Sequence, residues 1–175
     1  MKICSLLAAV IAAALPSLAQ AAQPHQHGIA RLDIAVEPTR ITLRLESPLD
    51  NLLGFERAPR TDAERQRAAA AVAKLQAAAA MFRIDPAAQC KLATVELTSA
   101  ALKLGKPDPK EEKAGHADID ADVSFDCVDA TKAGYVDVGL FEFSYLQRLQ
   151  VQVATPAGQF KRDLKRPAAR IALKK

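Results

Sequence analysis

The segment His116-Ala-Asp-Ile-Asp-Ala-Asp-Val-Ser-Phe-Asp-Cys127 constrains the fold more than any other. Ala117, Ile119, Ala121, Val123 and Phe125 fall on one side of a period-two pattern. His116, Asp118, Asp120, Asp122, Ser124 and Asp126 fall on the other. Only an extended strand with one buried and one wet face repeats this way. The run Lys91–Leu104 reads as a second strand, with a slip of the apolar phase between Leu97 and Leu102 that predicts a bulge. The polar stretch 105–115 lies between the two runs, so they form an antiparallel hairpin. Cys90 and Cys127 then fall at its open end, where paired strands bring Cα atoms within disulfide range.

The remaining chain supplies more strands and one helix. Ala30, Leu32, Ile34 and Val36 alternate with polar residues, as do Ile41, Leu43 and Leu45 after the Pro38-Thr39 turn. Residues 47–59 read as an irregular connection. Thr61-Asp-Ala-Glu64 is a capping box, and it predicts an Ala-rich helix from Asp62 to about Phe82 with Val72, Leu75, Ala79 and Phe82 on one face. Val136–Leu146 fits either a short helix or a turn that carries aromatics inward. Leu149–Val153, Gln159–Leu164 and Ile171–Leu173 complete the strands. The expected class is α+β: a mostly antiparallel sheet with one long Ala-rich helix packed on it.

The N-terminus predicts export. Lys2 precedes ten apolar residues, Leu6–Leu15, then Pro16 and the small-residue pair Ala19 and Ala21, the pattern of a signal peptide cut after Ala21. Ten apolar residues fall short of the roughly 20 that span a bilayer. Residues 1–21 are thus read as the leader and 22–175 as one exported domain that does not span the membrane. Cleavage removes Cys4 and leaves Cys90 and Cys127, an even pair in an oxidising compartment, which predicts one disulfide. Two buried free thiols are the alternative. The formal net charge of +4 comes from mixed signs without Lys/Arg blocks interleaved with aromatics, so a nucleic-acid partner is not expected.

Signatures of phosphate-cradling, dinucleotide-binding, serine-hydrolase, zinc-protease and dithiol chemistry are missing from the sequence, and no enzymatic activity is expected. Metal binding is the stronger expectation. The three histidines are His25, His27 and His116. His25 and His27 are two apart, on the same side of an extended segment. His116 begins the polar strand face on which Asp118 is its next neighbour. Neutral imidazoles with one carboxylate or a water suit zinc. The plainer reading is a mobile tail and a solvated sheet face.

Several blocks resemble a known family. His25-Gln-His27-Gly28-x-Ala30-x-Leu32-x-Ile34-Ala35-Val36 looks like its opening. Glu46-Ser-Pro-Leu-Asp-Asn-Leu-Leu-Gly-Phe-Glu56, then Ala58-Pro59, is similar to its most specific block. Cys90, His116-Ala117, Cys127, Leu140-Phe141 and Gly158-Gln159 follow in order. This is the DUF2796, or ZrgA-like, family of periplasmic zinc-uptake proteins. The resemblance implies a Zn²⁺-binding accessory protein that assists an ABC-type importer, with His25, His27 and His116 at histidine positions of the family, Asp118 or a water completing the shell, and Glu56 a weaker candidate. Two departures stand out. Arg57 replaces a histidine that many relatives carry after Gly-Phe-Glu, and the loop 106–114, often rich in His and Asp, is here Lys-Pro-Asp-Pro-Lys-Glu-Glu-Lys-Ala. They leave open a second reading: a non-catalytic periplasmic interaction domain that has lost its metal.

Overall fold

A computed structural model describes residues 26–106 and 117–174. The alternating segments form strands. β1 (Ile29–Val36) pairs antiparallel with β2 (Arg40–Pro48), as the hairpin pattern requires. After β2 come a one-turn helix α1 (Asp50–Leu53), then α2 (Asp62–Gln76), α3 (Ala78–Met81) and β3 (Phe82–Ile84). β4 (Cys90–Thr98) and β5 (Asp118–Cys127) form the second hairpin, and β6 (Tyr135–Val138), β7 (Arg148–Thr155), β8 (Gly158–Lys165) and β9 (Arg170–Ala172) complete the order. Six strands make one sheet in the order β4-β5-β2-β1-β7-β8, and β3-β6-β9 make a second.

The fold is therefore mostly β, with 46% of the described residues in strands and 23% helical. This corrects the expected α+β arrangement of one sheet under one long Ala-rich helix. The alanine run has helix propensity throughout, but the helix breaks at Ala77 (φ −76°, ψ 45°). The break rotates the next turn of the chain, so that Ala78 is buried and Ala79 exposed. Phe82 then leaves the helix for β3, where it pairs with Val138 and buries its ring in the core. Long-range pairing overrides local propensity here. The capping box at Thr61 and Glu64 forms as read from the sequence. The position of the bulge is a second correction: the register of β4 against β5 shifts between Leu92 and Thr94. The slip near Leu97–Leu102 is instead a tight turn, closed by a bridge from Ser99 to Leu104.

One face of the large sheet is apolar, with Leu32, Ile34, Leu43, Leu45, Ile119, Val123, Leu149 and Val151 nearly inaccessible. Ala68, Ala71 and Leu75 of α2, Met81 of α3, and Phe82, Val136 and Ile171 of the small sheet belong to the same core. The turn at Leu140–Glu142 sends Leu140 and Phe143 into it. The other face is polar, and its carboxylates meet arginines: Arg40 bonds Asp126 at 2.8 Å, and Arg44 lies 3.9 Å from Asp120. A disulfide joins Cys90 to Cys127, which are register partners. Among the described residues no helix is long and apolar enough to cross a membrane.

Candidate metal centre

The end of the sheet opposite the disulfide gathers the starts of β1, β5 and β7 and the finishes of β2 and β4. The three buried polar residues found among the described residues, Ser47, Asn51 and Ser99, all lie there. Asn51 is fully buried, and each of its polar atoms is matched. Its Oδ1 accepts the Gly28 N–H at 2.7 Å; its Nδ2 donates to the Ile29 carbonyl at 2.8 Å and to Ser47 Oγ at 3.1 Å. One side chain on α1 thus ties down the chain that enters β1. From the other side the Gly28 carbonyl accepts N–H groups from Gln147 and Arg148 at 2.8 and 2.9 Å. Gly28 has φ +78°, a left-handed conformation that suits glycine.

This clamp fixes His27 beside Asp50. His27 Nδ1 is hydrogen-bonded to Asp50 Oδ2. The imidazole is 74% exposed, whereas the Asp50 side chain is only 16% exposed. Gly54, at φ +80°, caps α1 and turns the chain back. Glu56 follows the turn, and ligand-type atoms of His27, Asp50 and Glu56 all lie within 4.8 Å of one another. The turn is braced by α2. Arg57 reaches Glu64 through two nitrogens at 2.6 and 2.9 Å and lies over the Phe55 ring at 4.9 Å, and Arg67 donates to the Leu53 carbonyl at 3.0 Å.

The electrostatics favour a cation. The hydrogen bond that protonated His27 donates to Asp50 raises the His27 pKa above its ordinary 6.5, and the charges of Asp50 and Glu56 add to it. Asp50 Oδ1 is buried and has no hydrogen-bond partner among the described residues. Such an atom normally finds a donor or a cation. One imidazole and two carboxylates are a donor set that zinc accepts, with room in a four-coordinate shell for one further ligand. The residues present therefore fit a divalent ion.

The trio overlaps only partly with the residues singled out from the sequence. His27 belongs to it, as does Glu56, the weaker candidate. Asp50 was not among the expected ligands, although it lies inside the Ser47-Pro-Leu-Asp-Asn-Leu-Leu-Gly-Phe-Glu56 block. Asp118 opens β5 at the same end of the sheet, opposite Pro48, and is not one of the three. His25 and His116 lie outside the described residues.

No curated protein matches the chain. Residues 24–173 match the family model described as ZrgA family zinc uptake protein, and the chain belongs to that family.

Proposed function

We propose that this protein is a periplasmic zinc-binding accessory protein, a carrier and not a catalyst, that assists zinc uptake through an ABC-type importer. Zinc is its cargo. His27, Asp50 and Glu56 offer the first ligands, and His25 and His116 remain candidate ligands on the strength of the sequence alone. The observation that carries this reading is the buried Asp50 Oδ1, without a hydrogen-bond partner among the described residues, inside a His–Asp–Glu trio, in a chain whose family is named for zinc uptake. The trio found among the described residues fills three positions of a four-coordinate shell; a fourth held by water would let the ion pass to another ligand set, whereas a fourth protein ligand would close it. The signal-peptide pattern read at residues 1–21, which lie outside the described residues, and the Cys90–Cys127 bridge support an oxidising, extracytoplasmic setting.

Zinc titration of metal-free protein by calorimetry tests the site. His27→Ala and Asp50→Asn are expected to weaken binding at least about tenfold, since each removes a ligand. Affinity equal to wild type in both variants would refute the trio, and loss confined to a His25→Ala/His116→Ala variant would move the site to those residues. One observation favours a metal-free interaction domain: Arg57, at a histidine position of many relatives, is held by Glu64. That reading requires wild-type protein to bind no zinc and to recover a periplasmic partner equally with and without chelator.

A further inference from the structure

The large sheet has two outer strands, β4 and β8, and they are chemically unlike. β8 carries Lys161, Arg162 and Lys165 against a single acid, Asp163. Two copies meeting along β8 would repel, which is a common protection of a sheet edge. β4 has only Lys91 and Glu96, one at each end of an uncharged run. Leu92, in that run, is 37% exposed, one of the few large apolar side chains exposed among the described residues. Val95 and Leu97 are only partly buried, whereas their β5 partners Val123 and Ala121 are fully covered.

The bulge decides what this edge can pair with. When two copies of one strand meet antiparallel about a two-fold axis in a continuous sheet, opposed residues must lie on the same face. In a regular strand, residues three or five apart point to opposite faces. In β4 the extra residue at Ala93 changes this. Lys91 lies opposite Asp126 and Glu96 opposite Asp122, both on the polar face. Leu92 lies opposite Phe125 and Val95 opposite Val123, both on the apolar face. A pairing centred between Ala93 and Thr94 then sets Lys91 against Glu96 of the second copy, and Leu92 against Val95. The charge pair and the apolar pair each form on matching faces, and each occurs twice.

We propose that β4 pairs antiparallel with β4 of a second copy of this chain, joining two six-stranded sheets into one continuous sheet. The interface is isologous, the usual form of a two-fold dimer. One strand per copy makes a small contact, so the dimer is weak and concentration-dependent. β5 separates β4 from β2 and β1, which carry the His27–Asp50 end, so each copy keeps its own trio and association does not depend on zinc.

Sedimentation velocity over a concentration series, in chelator, tests this. Wild-type protein is expected to shift from monomer to dimer. Lys91→Glu and Glu96→Lys each place like charges opposite one another twice, and each should weaken self-association on the order of tenfold or more. Mixed together, the two variants should form a heterodimer, because every reversed charge then faces its opposite. That recovery separates a broken interface from a misfolded chain. Wild-type protein that stays monomeric throughout, a dimer unchanged in Lys91→Glu, or a mixture that fails to associate would each overturn the proposal.

Discussion

The phenol of Tyr145 fills the space where Gly54 would carry a side chain: a Cβ built at Gly54 would lie 2.6 Å from Tyr145 Cζ and 2.8 Å from its hydroxyl. Gly54 also stands at φ +80°, between Asp50 and Glu56. Gly54→Ala is therefore expected to destabilise twice over. The left-handed backbone costs about 1–2 kcal/mol, and displacing the ring adds to that. Tyr145→Ala in the same chain removes the clash but not the backbone penalty. The double variant should thus lose less than the sum of the two single changes, as measured by urea unfolding. Zinc affinity should fall in Gly54→Ala, because Glu56 is no longer folded back toward Asp50.

Asn51 holds the other half of the trio. Asn51→Ala leaves the Gly28 N–H and the Ile29 carbonyl without their side-chain partner. The expected loss of stability is about 1–3 kcal/mol, the usual penalty for an orphaned buried polar group. His27→Ala removes an exposed ring and should leave stability nearly unchanged. Both variants should weaken zinc binding. Thermal melts and zinc titrations on the same two proteins separate a residue that positions a ligand from a ligand.

Glu64 gives a pH test of the brace behind Glu56. Its hydrogen bonds from Arg57, then from the Arg60 and Thr61 backbone, hold its pKa at about 2, below the ordinary 4.5. A carboxyl lowered in the folded state stabilises above its unfolded pKa, and that contribution is lost as pH falls from about 4.5 through about 2. Arg57→Ala removes the largest cause and should move acid unfolding to higher pH. The difference from wild type should be full near neutrality and vanish toward pH 2. Circular dichroism through an acid series measures it.

The large sheet was legible because its strands are long enough for alternation to register. Asp118–Cys127, Ile29–Val36 and Arg148–Thr155 each run eight residues or more. The small sheet was legible only in part: the strand expected at Ile171–Leu173 appears as β9, whereas β3, with three residues, and β6, with four, were not read as strands. In so few residues a period of two is indistinct, and Phe82 read naturally as the last turn of an alanine helix. The parallel pairing of β1 with β7 joins segments more than a hundred residues apart, and no local pattern announces it.

The site was half legible for a related reason. His27 stood out as a rare residue type. Asp50 is an acid in the first turn of a helix, an ordinary place for one, and 23 residues separate it from His27. What joins them is the β1–β2 pairing and the amide of Asn51, which are tertiary facts. The alternating aspartates of β5 drew attention to a strand face that β2 answers with Arg40 and Arg44.

The Cys90–Cys127 bridge spans 37 residues of sequence. A loop of that length corresponds to roughly 3–4 kcal/mol in the chain-entropy model. A Cys90→Ser/Cys127→Ser variant should lose stability of that order in urea unfolding. Its zinc affinity should stay near wild type, because the bridge lies at the opposite end of the sheet from His27. A large loss of zinc affinity would show that the two ends are coupled.

Proton and zinc should oppose each other at His27. Its pKa is raised above 6.5, chiefly by the Asp50 hydrogen bond and then by the charges of Asp50 and Glu56. A raised histidine pKa contributes stability that is present below 6.5 and disappears as pH rises through the folded value. Metal-free protein should therefore become slightly less stable from pH 6 to pH 8, and Asp50→Asn should flatten that slope. Zinc needs the neutral imidazole, so its affinity runs the other way. It should weaken about tenfold per pH unit on the acid side of the His27 pKa, with the onset above 6.5. Asp50→Asn should lower the His27 midpoint toward 6.5 in an NMR titration and still bind zinc less well, because the carboxylate that retains the proton is also a ligand for the ion. A variant whose His27 midpoint falls while its zinc affinity rises would remove Asp50 from the ligand set.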